Sequence, residues 1–343
     1  MTSQRYIKGN DWSLKQSVHN MISKLNTIGK SLRQTTRLNP LAVVFSLPVG
    51  KARSAAHALD TLYKPVQLCL LLTAGLFSAT TLAMPQQSLV PGGIAIIQLD
   101  SKAGEPKFSF RNKPVLISRQ QDQTLAVVGL PLSLKPGEYF ISGHYADNKQ
   151  LVKKFFSVRH KEYSTQHITI KDKRKVNPIQ QDMERIIPEQ KRKKIAASFY
   201  SEEIPDLEFL TPVEGIISGS YGRRRVFNGQ PKRPHSGMDI AAPRGRAILS
   251  PADGTVIESG DFFFSGNLLY IHHGQGLISL YAHLDEIKVQ PGERVLKGQQ
   301  IGTVGTTGRV TGPHLHWSVG LNGSWVDPAL FIKQAEPDVA KSN

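Results

Sequence analysis

Three short segments between positions 235 and 316 carry residues that bind metals or move protons: His235-Ser-Gly-Met-Asp239, Tyr281-Ala-His283 and His314-Leu-His316. Imidazole nitrogens plus one carboxylate oxygen form the donor set of a catalytic zinc, which keeps one coordination position for water. Residues i and i+2 of a strand face the same side. His314 and His316 would then project together, with Leu315 on the opposite face. Taken singly each segment is a weak signal. His-x-x-x-Asp arises by chance, and a His-x-His can be two packed or exposed imidazoles. Together in one stretch, with Leu284 after His283 and Gly312-Pro313 before the His pair, they reinforce one another.

The elements that must hold these residues read as β structure. From about 207 to 332 the chain is rich in glycine and short β-type runs, such as Asn267-Leu-Leu-Tyr-Ile271 and Leu277-Ile-Ser-Leu-Tyr281. Turn signals recur at Asp253-Gly254, Pro291-Gly292, Lys297-Gly298 and Asn322-Gly323. This pattern predicts a mainly antiparallel β domain. Residues 172–206 are charged and helix-prone, which predicts a helical linker interrupted at Pro188, its basic run a solvated face. Residues 86–171 hold apolar runs such as Ile94-Ala-Ile-Ile97 and Leu125-Ala-Val-Val128, separated by turns at Pro91-Gly92 and Pro136-Gly137. They predict a small β-sandwich-like domain. His144, His160 and His167 are scattered there as turn or surface histidines, and residues 333–343 form a tail.

Composition bounds the function. At 343 residues, 39% hydrophobic and 20% charged, the chain is long enough for two or three globular domains. A formal net charge of +16 suits an anionic partner. Nucleic acid is not favoured, because no zinc-finger cysteine set, RNP-type aromatic signature or recognition helix is present. With Cys69 as the one cysteine, no intrachain disulfide can form. The uncharged stretch 66–83 follows Lys51, Arg53 and Lys64 and ends in Thr81-Leu82-Ala83. It reads as a secretory signal cleaved after Ala83, or as an uncleaved membrane anchor. The strongly basic extension 1–65 is long for a signal peptide. Either the true start lies downstream, or the extension is a cytoplasmic tail. Both options place the rest of the chain in the periplasm or cell envelope. Oligomeric state is left open.

Pro234-His-Ser-Gly-Met-Asp239, Tyr281-Ala-His-Leu284 and Gly312-Pro-His-Leu-His-Trp317 resemble the motif set of the M23 zinc metallopeptidases, the LytM or lysostaphin type that cuts peptides of bacterial cell wall. The resemblance covers 207–332 and includes Ala252-Asp-Gly-Thr-Val256, His273-Gly-Gln-Gly276, Gly302-Thr-Val-Gly305 and Val326-Asp-Pro328. The preceding β domain and linker are similar to those of Gram-negative members. The resemblance implies that His235, Asp239 and His316 bind Zn2+. It places His283 and His314 beside the open position as general base and transition-state stabiliser, in either assignment. The substrate would be peptidoglycan, in Gram-negative types the direct D-Ala to diaminopimelate cross-link, and 66–83 would allow inner-membrane attachment. Ser220-Tyr-Gly-Arg223 aligns with a loop lining the family's groove, so Tyr221 is a candidate substrate contact. The alternative is a packed Tyr221 with Arg223 to Arg225 in a solvated turn. The resemblance assigns His273 to a structural turn. Phe262-Phe-Phe264 and Trp317 read as core or groove wall.

Two other functions compete. A non-catalytic activator of other wall hydrolases would share the fold, but all five positions are filled here. A biotin- or lipoate-carrying domain would share the hairpin pattern of 289–301, yet Lys297 lacks the acidic or Met-rich context of a modified lysine. In the family an upstream segment can also occupy the groove, which makes the N-terminal domain and the linker candidates for a latency device.

Overall fold

The computed structural model describes residues 84–120 and 122–332. The basic extension 1–65, the apolar stretch 66–83 and the tail 333–343 lie outside the described residues. No helix among the described residues is long and apolar enough to cross a membrane.

The first part of the chain builds two small antiparallel sheets. One has the order β1 (Ile94–Leu99), β5 (Gln123–Gly129), β4 (Leu116–Gln120). The other runs β3 (Lys113–Pro114), β2 (Pro106–Phe110), β6 (Gly137–Tyr145), β7 (Asn148–Val158). They share a core that includes Phe108, Phe110, Ile141 and Phe156 from one sheet and Ala95, Ala126 and Val128 from the other. That is the expected sandwich, with one addition. The other face of the three-stranded sheet is buried as well. Ile94, Leu116 and Val127 pack into the core of the following domain beside Leu321 and Val326. A sheet covered on both faces needs unbroken apolar strands, and this is why 94–97 and 125–128 do not alternate. Each fully buried aliphatic side chain there contributes about 1.5–3 kcal/mol.

Two amide side chains complete the docking. Asn322 Nδ2 donates to Gly129 O at 3.0 Å and its Oδ1 accepts from Gly129 N at 2.6 Å. Gln275 accepts from Ile117 N at 2.8 Å and donates to Ile117 O at 3.2 Å.

The second part is one ten-stranded sheet. Its main path is β17 (Arg294–Val295), β14 (Gly254–Phe262), β15 (Gly266–Gly274), β16 (Leu277–Ile287), β19 (His314–Leu321), β12 (Met238–Ala241), β9 (Ile216–Gly219). β18 (Gln300–Val304) pairs with β16 and with β13 (Ala247–Leu249), and β20 (Ser324–Val326) pairs with β19. One face carries Tyr281, Leu284, Leu315, Trp317 and Val319 into the larger core. The opposite face carries Ile278, Leu280 and Ala282 into a smaller core capped by Ala196.

Between the two parts, β8 (Thr165–Ile168) pairs in parallel with β10 (Arg224–Phe227), which forms a hairpin with β11 (Gln230–Lys232). Helix α1 (Gln180–Ala196) follows β8 and lies against the sheet. Two expectations fail here. The helix is not interrupted at Pro188. Pro188 and Glu184, whose carbonyl loses its donor, both lie on the exposed side where water can satisfy that carbonyl. The basic run is not merely a solvated face. Arg185 pairs with Glu189 and Asp261, Arg192 holds Glu258 through two bonds, and Lys193 Nζ donates to Ser265 Oγ at 2.8 Å. These ties pin the helix to β14 and the turn after it, which offsets the local cost of the proline.

Candidate metal centre

The register of the sheet assembles the site. In β19, Leu315 is fully buried while His314 and His316 lie on the opposite face, as i and i+2 require. Asp239 of β12 sits directly across from His316, and Ala282 of β16 is paired with His316 on the other side. His235 comes from the loop before β12 and is held by Arg223 O, which accepts from His235 N at 2.9 Å. Two glycines make the approach possible. A Cβ on Gly219 would lie 2.6 Å from Asp239 Oδ2, and one on Gly237 would lie 2.4 Å from Ser318 Oγ.

His283 reaches the site through a departure from strand geometry. Tyr281 and Leu284 both enter the larger core, so strict alternation cannot be maintained between them. Tyr281 pairs with Leu269 and Leu284 with Asn267, which leaves one extra residue in β16, a β-bulge. His283 takes up the bulge with φ of 68°, a left-handed conformation that costs an L-residue energy. The result turns its imidazole onto the histidine face, 5.0 Å from the His314 ring and 6.1 Å from that of His316.

The structure thus brings together all five histidine and aspartate candidates. Asp239 Oδ1 lies 2.9 Å from His235 Nε2 and 2.8 Å from His316 Nδ1, and the two nitrogens are 2.9 Å apart. His314 Nε2 stands 3.9 Å from the same oxygen. Backbone acceptors set the tautomers. His235 donates Nδ1–H to Ser220 O at 2.9 Å, His283 to Thr307 O at 2.8 Å and His314 to Gly312 O at 2.9 Å. Each of these rings therefore presents Nε2 with its lone pair. His316 Nε2 meets the Ser318 hydroxyl at 3.0 Å, which leaves Nδ1 for the cluster.

Three acceptor atoms converging in a buried place repel one another unless a cation lies among them. Burial, partly opposed by Asp239, pushes His316 down to about 4. Its ring is then neutral near pH 7, and no proton from it fills that need. His235, Asp239 and His316 are accordingly a group that could hold a metal ion. Burial alone would raise the Asp239 carboxyl. The close imidazoles of His235 and His316 outweigh it and hold the group far below the ordinary carboxylate range. Burial, with His314 and His316 nearby, pushes His283 well below its usual value. It is a neutral base at neutral pH.

The turn reading of Arg225 is corrected. Arg225 lies in β10 and its Nη2 donates to Asp239 Oδ2 at 2.7 Å, so both oxygens of that carboxylate are engaged. The alternation of β10 separates Arg225 from exposed Arg224, a distinction that three consecutive arginines conceal. The groove role of Tyr221 is also corrected. Tyr221 is 4% exposed, its hydroxyl donates to Trp325 O at 2.8 Å, and its ring meets that of Tyr163. It has no surface left for a ligand, and it packs where the two β parts meet.

Among the phenylalanines, Phe262 and Phe263 are core while Phe264 lines the cleft, and Trp317 is core. His273 is buried in the core, as its structural assignment requires. Lys297 Nζ is occupied by Asp206 Oδ2 at 2.9 Å and Glu208 O at 2.6 Å, which removes the carrier-domain reading.

A cleft of about 750 Å³ runs from His283 and His316 between helix α1 and the β10–β11 hairpin. A smaller cavity of about 130 Å³ lies on the His314 side, with Gln166, Ile168 and Ile170 as part of its wall. The segment before the helix therefore walls the site, although the sequence named no residue of it.

The Peptidase family M23 model matches residues 233–328, and the Peptidase family M23 N-terminal domain model matches 87–161. The peptidoglycan DD-endopeptidase ShyC of Vibrio cholerae is 45% identical over 129 residues, 37% of this chain and 30% of that protein. The DD-carboxypeptidase/endopeptidase Mpg of Neisseria meningitidis is 44% identical over 127 residues, 37% of this chain and 29% of that protein. This chain thus spans about a third of the length of the curated relatives it matches. The crystal structure of a candidate peptidase M23 from Pseudomonas aeruginosa superimposes with a TM-score of 0.61 at 38% identity, covering 71% of this chain and 95% of that one. With both family models placed on the two β parts and that structure matched nearly end to end, the chain belongs to peptidase family M23.

Proposed function

We propose that this protein is a zinc-dependent endopeptidase that hydrolyses peptide cross-links of peptidoglycan. The observation that carries the proposal is the pairing of a His235–Asp239–His316 cluster with two further imidazoles whose Nε2 atoms are left available. Nitrogen, nitrogen and carboxylate oxygen are donors that zinc accepts in catalytic sites. When bound there, the metal supplies a Lewis acid for the scissile carbonyl and the attacking water.

The protein's own side chains do the rest. His283 and His314, each fixed by a bond from Nδ1–H to a backbone carbonyl, take up a proton at Nε2 and return it to the leaving amine. The protonated imidazole also stabilises negative charge on the former carbonyl oxygen. Arg225 holds Asp239 by its second oxygen and so fixes the carboxylate's orientation.

The substrate class is inferred from the relatives named as peptidoglycan DD-endopeptidases. Location outside the cytoplasm, by secretion or by an anchor at 66–83, rests on the apolar character of that stretch. A purely non-catalytic activator would have no use for both free imidazoles. The test is digestion of purified peptidoglycan by the isolated protein, with muropeptides identified by mass. Release of un-cross-linked peptides that stops with a chelator and returns with zinc is expected. Intact cross-links in the presence of bound zinc would overturn the proposal.

A further inference from the structure

We infer that the large cleft is a carboxylate-recognition subsite, in which Arg309, assisted by Lys193, binds a free carboxylate of the substrate peptide next to the reacting bond. The inference rests on the endopeptidase reading and adds to it a determinant of specificity.

The charge of the cleft is one-sided. Lys193, Lys194, Arg225, Lys232, Arg233 and Arg309 line it, with no aspartate or glutamate in its wall. Arg225 is already neutralised by Asp239. Among the described residues neither Arg309 nor Lys193 has a carboxylate in an ion pair. Lys193 reaches only the Ser265 hydroxyl, and Arg309 Nη1 reaches only Lys175 O at 3.1 Å. Burial lowers both groups from their ordinary values; Arg225 lowers Arg309 further, while Lys193 feels the opposing charge of Glu189 ahead of the repulsion from Arg309. A largely buried guanidinium without a counter-charge, as Arg309 is, is costly to keep, and an incoming anion would relieve that cost.

Arg309 is also held in place for such a task. Its guanidinium lies 4.6 Å from the centre of the Phe227 ring and 4.7 Å from that of Phe264. Two aromatic rings engage the guanidinium, and with Nη1 on Lys175 O the Nε and Nη2 side makes no hydrogen bond among the described residues; that side of a guanidinium matches a carboxylate through two parallel bonds. Because its motion is already restricted, less entropy is lost when the anion arrives. Arg309 lines both the large cleft and the smaller cavity, and so does His283. The carboxylate would therefore sit beside the peptide bond being cut. A peptide occupant carries its negative charge as carboxylates, which selects this anion over others.

The experiment uses the zinc-loaded full-length protein and two cross-linked peptides that differ only in one group near the scissile bond, a free carboxylate in one and its carboxamide in the other. Charge-assisted bonds of this kind correspond to a ratio of about 10- to 100-fold. The acid is expected to have the higher kcat/KM by that factor, carried by KM. Arg309→Gln should remove the preference by weakening only the acid, and Lys193→Gln should reduce it in part. Equal kcat/KM for the two peptides in the unaltered protein, or an equal loss on both peptides in Arg309→Gln, would overturn the inference. Calorimetric binding of both peptides to His283→Gln protein separates this from failure of the peptidase reading. Tighter binding of the acid without any turnover in the unaltered protein would reject the peptidase reading and keep the subsite. Equal Kd values would reject the subsite whatever the turnover.

Discussion

His273 provides a sensitive test of how the sheet that carries the metal-ligand candidates is held. It is 3% exposed, donates Nδ1–H to Asp253 O at 2.7 Å and accepts at Nε2 from the Ser279 hydroxyl, also at 2.7 Å. Ser279 Oγ lies in turn 2.8 Å from the Tyr281 hydroxyl, two residues before His283. Burial pushes His273 down to about 4 from its ordinary 6.5. Between those values the unfolded chain binds a proton that the folded protein refuses. Stability therefore rises with pH through this window and is lost as pH falls from 6.5 toward 4. At about 1.36 kcal/mol per pH unit, the depression corresponds to about 3 kcal/mol. The perturbation is His273→Gln, which keeps an amide N–H and a carbonyl oxygen but cannot titrate. The assay is guanidinium unfolding of both proteins in chelator from pH 7.5 to 4. His283 and His316 titrate in both proteins and cancel in the difference, while His272, which burial holds at about 4 and which disfavours a charged His273, enters only at the acid end of the range. Glutamine should be the less stable at pH 7.5, with the gap narrowing by about 3 kcal/mol by pH 4. A gap that stays constant across the range would refute the reasoning.

Asn322→Ala removes both bonds to Gly129 and places alanine at a φ of 42°. A loss of about 3 kcal/mol is expected from the orphaned backbone groups and the left-handed conformation, read as a fall in Tm of roughly 6–12 °C. His283→Gln removes the proposed base without touching the His235–Asp239–His316 cluster. It should lower kcat by about 100- to 10,000-fold while zinc stoichiometry, measured by metal analysis, is unchanged. Loss of zinc in that variant would show that His283 is needed to hold the metal.

What could be read in the sequence was what local spacing controls. The His314–His316 pair needs only a strand to share a face, and Asp239 follows His235 at a spacing that a loop entering a strand can deliver. The sandwich followed from turn spacing alone. Contacts between distant segments were not legible. The apolar runs at 94–97 and 125–128 are continuous because a second domain covers them, and a strand buried on both faces looks the same whatever covers it. Pro188 is tolerated because ion pairs from Arg185 and Arg192 to residues more than sixty positions away hold the helix. Tyr221 sits in a motif that aligns with a groove loop, yet its ring is consumed by Tyr163 and Trp325.

The bulge at His283 shows why the site could be listed from sequence but not built. Regular alternation would send His283 to the same side as Tyr281, into the core and away from His314 and His316. One extra residue in β16 resolves the conflict, letting Tyr281 and Leu284 both stay buried while His283 turns outward. The strained φ is held by His283 N donating to Ser265 O at 2.9 Å and by the imidazole bond to Thr307. Thr307 in turn donates its hydroxyl to Leu284 O at 2.8 Å, so the loop beyond β18 locks the bulge from the other side. That loop also carries Arg309, two residues on. One segment thus positions the His283 imidazole, proposed to move the proton, and the Arg309 guanidinium that lines the cleft. A shift of that loop would displace both groups together, which couples the orientation of His283 to the occupancy of the cleft.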